Sequence, residues 1–318
     1  MSLSTWATLS VETKGREREE EPDQLRTAFQ QDCERILSCR AFRRLRGKTH
    51  SLLAPEGDGP RVRLIHTLDV SQTARTISRA LRLNEDLAEA IALGHDLGGT
   101  PFADAGEEAF SSFTEQPFRH NEQSLRVVEQ VEDGGCGLNL TWEVRDGILS
   151  HAPHASFPAT LEGQVVRIAT RIVSVTDDLD DALRTGICVP SDLPDDVSRV
   201  LGTTHSARVA RLIIDVVASS MDAPEIKMSR RVTPVLASLT AFVAERVHER
   251  GAEQPEHARR IHCLRSLVVF YLGNPDRLPA AHRGDDPLLV RTLDFVSGLG
   301  DAEALRLFQR LLLPAVMP

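Results

Sequence analysis

Between Leu161 and Arg184 the chain sets Val165, Ile168, Ile172, Val175 and Leu179 three or four residues apart, the spacing of one buried helical face. A strand, whose side chains alternate, cannot carry that stripe on one side. Gly186 ends it. Similar stripes run over Leu64–Leu81, Val209–Val217, Val232–Val247, Ala258–Leu272 and Leu288–Leu313, separated by Pro and Gly. Only 4% of residues are aromatic, and the apolar content is mostly Leu, Val, Ile and Ala, which favours helices over sheets. The expected fold class is all-α.

With 318 residues, 41% of them hydrophobic, the chain can bury one large core or two smaller ones. Residues 1–24, including ETKGREREEEPD, show no apolar period and are expected to form an irregular arm. Residues 25–318 are expected to form a single helical domain, with a central part at about 60–190 and a C-terminal region at about 206–318. From Gln24 to Leu45, Leu25, Phe29, Ile36, Leu37 and Phe42 fit a helix or a pair of helices that breaks at Gly47, and LAPEGDGP reads as a loop.

Five cysteines without a CxxC pair, and no opening apolar region, predict a reduced cytoplasmic protein. Cys33 and Cys39 have no base placed beside them and are expected to be packed helix residues. No window reaches the ~18 apolar residues of a membrane span. A net charge of −9 argues against a general nucleic-acid binder. The basic run RAFRRLRGK, followed by Arg61 and Arg63, is either a solvated helix face or a phosphate-facing patch.

The chemistry centres on His66 and the adjacent pair His95-Asp96. Asn84 is a plausible N-cap for a helix that Gly98-Gly99 stop just beyond that pair. In an antiparallel hairpin His66 lies roughly 22 Å back from Leu81 and His95 roughly 15 Å out from Glu85, leaving roughly 7 Å for crossing angle and side-chain reach to absorb. Two imidazoles and a carboxylate are a donor set for a divalent ion. A His-Asp dipeptide at a buried helix end is costly unless something pairs with it, and a metal would do so.

Four runs, DQLRTAFQQDCERILSCRAFRRLRGKTH, RVRLIHTLDVSQTARTISRALRLNEDLAEAIALGHDLG, FRHNEQSLRVVE and LEGQVVRIATRIVSVTDDLDDALRTGI, together resemble the deoxynucleoside triphosphate triphosphohydrolases (dGTPase-like) of the HD-domain superfamily. They stand in the family's order over roughly residues 22 to 190, with lengths like the shorter bacterial members. The resemblance implies a helical HD-domain bundle and a divalent metal such as Mn²⁺ or Mg²⁺. The implied reaction cleaves a dNTP at its α-phosphate to deoxynucleoside and triphosphate. By position His66, His95 and Asp96 match metal ligands, Arg63 and Arg171 match phosphate-binding groups, and Asp178 matches a contact to the sugar 3′-hydroxyl. Glu107 and His120 match polar groups implicated in catalysis.

The departures are equally specific. The family's HDLGHTPFGHAGE is HDLGGTPFADAGE here, so two histidines become Gly99 and Asp104. The fourth metal ligand becomes Thr170, a pocket Tyr becomes Ser174, a His becomes Asp177, and a sugar-contacting Gln becomes His50. Loss of a carboxylate ligand weakens a divalent site. Asp104 could act as a substitute base near Glu107, but two facing carboxylates would raise each other's pKa. The competing expectation is therefore a degenerate nucleotide-binding or regulatory homologue. His151 and His154, in SHAPHAS, read as loop polar groups, and DDLDD (177–181) reads as a solvated face apart from Asp178. The resemblance also implies a homo-oligomer; a paralogue partner or a single-stranded nucleic-acid effector is open.

Overall fold

A computed structural model describes residues 2–50, 61–249 and 255–314. LAPEGDGP lies outside the described residues. Among the described residues there are fourteen α-helices and no strand, with one isolated antiparallel bridge from Thr49 to Val62, so the chain is all-α. In order they are α1 (Ala28–Ser38), α2 (Arg40–Arg44), α3 (Arg63–Leu81), α4 (Glu85–Gly94), α5 (Asp104–Ser111), α6 (His120–Arg126), α7 (Trp142–Ser150) and α8 (Leu161–Arg184). These are followed by α9 (Asp195–Leu201), α10 (His205–Ser220), α11 (Val232–Val243), α12 (Pro255–Gly273), α13 (Leu288–Ser297) and α14 (Asp301–Leu312).

Seven of the ten residues of α4 are buried: Leu87, Ala88, Ala90, Ile91, Ala92, Leu93 and Gly94. A helix apolar almost all round must lie inside the molecule, and α4 packs against α1, α3, α7 and α8. The Asn84 side chain accepts from the backbone N–H groups of Asp86 and Leu87, capping it as the sequence predicts. Close approach to α7 depends on small residues in both helices. A Cβ on Gly147 would stand 2.4 Å from the Ile91 side chain, and one on Gly94 would stand 2.5 Å from Ile148. On α8, Val165, Ile172, Val175 and Leu179 are buried, and Gly186 follows with a positive φ of +72°.

The arm is irregular apart from a short 3₁₀ turn at Ser10–Glu12, and buried polar side chains tie it to the bundle. Thr8 donates through N and Oγ1 to Glu162, Thr13 Oγ1 and Lys14 N donate to Glu143, and Arg16 pairs with buried Asp32. These contacts hold a segment that has no apolar stripe to bury. A second hydrophobic cluster joins α5 to α12, α13 and α14 through Phe102, Phe110, Leu264, Leu267, Val296 and Ala304. Asp301, the first residue of α14, accepts from the backbone N–H groups of Thr49 and Phe102, anchoring two loops beside the site.

Several local expectations shift. The first helix begins at Ala28, behind a capping box of Thr27 and Gln30, and leaves Leu25 94% exposed. The stripe over 288–313 is two helices, broken at Gly298–Gly300. Arg61 turns inward to Asp177 and Asp181, whereas Arg40, Arg43, Arg44 and Arg46 are exposed. DDLDD is accordingly not a solvated face: Asp177, Asp178 and Asp181 are buried, with Arg61 and His205 on Asp177. Sequence periodicity cannot register pairing partners that lie more than a hundred residues away.

Candidate active site

The first turn of α3 carries Arg63 and His66, and His95-Asp96 follow α4 directly. The 7 Å mismatch is taken up by the crossing, because the His66 and His95 ring centroids are 5.6 Å apart. Helix α5 brings Asp104 and Glu107, α6 opens with His120, and α8 presents Thr170, Arg171, Ser174 and Asp178. His50, Arg63, His66, His95, Asp96, Asp104, Glu107, His120, Arg171 and Asp178 all border one cavity of about 310 Å³. Thr240 and Val243 of α11 form part of its wall, in a region where the sequence offers no motif.

At the floor, one potential ligand atom from each of His50, His66 and Asp96 lies within 4.8 Å of the others, a possible His-His-Asp metal site. His95 is outside that cluster. Its Nδ1 donates to the Ala92 carbonyl at 2.7 Å, which leaves Nε2 with a lone pair. The residues fit a cation, because buried His50 Nδ1, His66 Nδ1 and Asp96 Oδ2 have no hydrogen-bond partner among the described residues. Burial pushes the His50 and His66 pKa values well down, aided by neighbouring positive groups, so both rings are neutral donors. Burial would raise the Asp96 pKa, but Arg63 and the surrounding imidazoles hold it well below the usual carboxylate range.

Arg63 is buried, and its Nη1 donates to Asp96 Oδ1. It still borders the cavity. Gly99 makes room for it: a Cβ there would stand 2.7 Å from the Arg63 guanidinium, so Arg63 occupies the space a side chain at 99 would need. Arg171 is exposed at the cavity rim. The Thr170 hydroxyl donates to the Val166 carbonyl at 2.9 Å.

A second group of side chains forms a hydrogen-bonded chain. His151 Nδ1 donates to the Ile148 carbonyl at 2.7 Å, so its Nε2 must accept. His120 Nε2 stands 3.1 Å from that nitrogen and donates to it, and His120 Nδ1 donates to Glu107 Oε1 at 2.6 Å. Both nitrogens of His120 then carry hydrogen, which is the imidazolium form. Burial opposes that charge, but the hydrogen bond and charge of Glu107 outweigh it and raise the His120 pKa. Glu107 is lowered: burial pushes it up and the His120 hydrogen bond more than compensates. The expectation that Asp104 would raise Glu107 is thus corrected, because Glu107 faces His120.

His151 is the residue the sequence reading missed. It is only 2% exposed, caps α7, and sets its ring centroid 4.9 Å from that of His95. The short helix before it, carrying Val144 and Ile148 on its buried face, is the one signal that could have placed it inside. His154 bonds Asn121 Oδ1 at 3.1 Å as an ordinary polar group. Burial raises the thiol pKa values of Cys33 and Cys39, the latter to about 11, in keeping with packing roles.

Gly98 sets the spacing between the His95-Asp96 turn and α6. A Cβ there would stand 2.2 Å from Ser124 N and 2.7 Å from the His120 carbonyl, both backbone atoms. Ser124 Oγ meanwhile accepts from Gly98 N and donates to the His95 carbonyl. Gly98→Ala is expected to destabilise the fold by at least about 1–3 kcal/mol, read as a lower melting temperature. An unchanged melt would show that α6 can yield.

Residues 63–181 match the family model of the HD domain, which takes in α3, α4 and nearly all of α8, so this is an HD-domain protein. A protein of Caldanaerobacter subterraneus subsp. tengcongensis, named deoxyguanosinetriphosphate triphosphohydrolase-like protein, is 45% identical, covering 98% of this chain and 93% of its own length. Proteins of the same name from Clostridium perfringens and Bordetella pertussis are 38% and 35% identical, covering 99% and 97% of this chain and 95% and 96% of their own lengths. The chain belongs to the deoxyguanosinetriphosphate triphosphohydrolase-like family. No helix among the described residues is long and apolar enough to cross a membrane.

Proposed function

We propose that this protein is a metal-dependent dNTP triphosphohydrolase that cleaves a dGTP-like nucleotide to deoxynucleoside and inorganic triphosphate. The observation that carries the reading is the His120 ring, held between Glu107 and His151 in the same cavity as the His-His-Asp cluster. His66, His95 and Asp96, with His50 beside them, would hold the divalent ion. A bound ion supplies a Lewis acid for a phosphoryl oxygen and orients water.

Arg171 at the rim neutralises the triphosphate, and Asp178, which lines the same cavity, would contact the sugar hydroxyl. Water forms a bond to the α-phosphorus, and the bond from phosphorus to the 5′-oxygen breaks. His120, releasing its hydrogen bond to His151, gives its Nε2 proton to the departing 5′-oxygen, while Asp104, facing the same cavity, takes the proton from water. Arg63 acts by keeping Asp96 ionised and oriented.

Purified protein incubated with dGTP and each of Mn²⁺, Co²⁺ and Zn²⁺ is expected to release deoxyguanosine and triphosphate in equal amounts, resolved by anion exchange. Undetectable release from metal-loaded protein that still binds the nucleotide would reject hydrolysis in favour of a binding homologue. The neutral Thr170 on the cavity wall, in place of a carboxylate, is the observation that favours that second reading.

A further inference from the structure

We propose that His50 is itself a metal ligand, taking the place of the donor that Thr170 does not supply. We further propose that the resulting imidazole-rich set selects a late first-row transition ion, of the cobalt or zinc kind, over magnesium. The inference rests on reading the cavity as a metal-dependent site.

Three independent features converge on His50. It belongs, with His66 and Asp96, to the His-His-Asp cluster of the described residues, whereas Thr170 offers only a neutral hydroxyl, a poor ligand unless deprotonated. Its Nδ1 is one of three orphaned buried atoms in that cluster, with His66 Nδ1 and Asp96 Oδ2. A buried polar atom without a partner costs about 1–3 kcal/mol, and one cation could satisfy all three. Finally, its place is set by the main chain. His50 N donates to the Arg61 carbonyl at 2.8 Å, Arg63 N donates to the Lys48 carbonyl at 2.9 Å, and Thr49 bridges to Val62. This short antiparallel clamp fixes residue 50 against the first turn of α3, where its ring stacks on His66 with centroids 3.6 Å apart and planes 9° from parallel. Imidazole binds a metal in its ring plane, so sharing one ion requires the His50 ring to turn out of this stack about its side-chain torsions.

The exchange changes what the site prefers. Replacing a carboxylate donor with an imidazole removes one negative charge and one hard oxygen. Magnesium demands oxygen ligands in near-octahedral array, whereas imidazole suits zinc, cobalt and their neighbours.

The test uses full-length protein stripped of metal and titrated with Co²⁺ alone, without nucleotide. Visible absorption and calorimetry follow the wild type, His50→Gln, and His50→Gln with Thr170→Asp. Wild type is expected to take up one Co²⁺ that excess Mg²⁺ does not displace. His50→Gln is expected to weaken binding by at least about 10- to 100-fold, as loss of metal-site groups does, and to alter the absorption band. The double variant is expected to regain binding, now open to competition by Mn²⁺ and Mg²⁺, which also serves if the single variant folds poorly. Unchanged affinity and spectrum in His50→Gln overturns the proposal, as does a wild type that takes up no Co²⁺. Absence of nucleotide turnover alongside His50-dependent Co²⁺ binding would sink the hydrolase reading and leave this one standing. Full turnover with a His50-independent metal does the reverse.

Discussion

Substituting Asp96 with asparagine is expected to lower the melting temperature by about 5–10 °C and to abolish divalent-ion binding. Asp96 is 2% exposed and meets two demands at once: Oδ1 pairs with buried Arg63, and Oδ2 faces His50 and His66. Asparagine keeps the shape but leaves the Arg63 guanidinium buried without its counter-charge, which costs about 3–5 kcal/mol. The amide also removes the one anionic donor of the cluster. Adding Arg63→Met to the variant should recover part of the stability and none of the metal binding. A melting temperature unmoved by Asp96→Asn would mean that Arg63 is not held as described, and retained metal would place the ion elsewhere.

The second large effect concerns proton donation. His120→Gln is expected to cut triphosphate release by about 10²- to 10⁴-fold, the range for losing a general acid. The sign of the pH dependence follows from the raised His120 pKa. The protonated form is the active one, so turnover is present below that pKa and is lost as pH rises through it. Glu107→Gln removes the charge that raises His120, so the alkaline limb of the rate profile should move to lower pH while the protein stays folded. A limb that stays in place in Glu107→Gln would show that another group supplies the proton.

Much of this was legible along the chain. The 3.6-residue period announces α3, α8 and the C-terminal helices, and the Asn84 cap and Gly186 are local signals that do not depend on distant residues. The short helices α5, α6 and α7 were not separately legible, because a segment of seven to nine residues carries too few turns to display a period. They are held by packing and bring in Glu107, His120 and His151. His151 looked like loop polarity beside Pro153, and its role depends on α7 docking under α4 through Gly147.

Arg63 and Gly99 illustrate the same division. Each is readable alone, one as a basic group and the other as a helix stop. Only the fold reveals that the missing side chain at 99 is the space Arg63 fills beside Asp96. A resemblance read position by position cannot register such an exchange, because it concerns shared volume.

The sequence by itself determined the all-helical class, the family and the set of polar residues from which the site is built, since these depend on periodicity and residue identity. Tertiary structure alone decided the partners within that set: His50 with His66 and Asp96, Arg63 on Asp96, and His120 between Glu107 and His151. The physical reason is that metal and proton chemistry act over a few ångströms. Which groups come that close is set by helix crossings, close glycine contacts and a backbone clamp of two hydrogen bonds, none of which leaves a pattern along the chain.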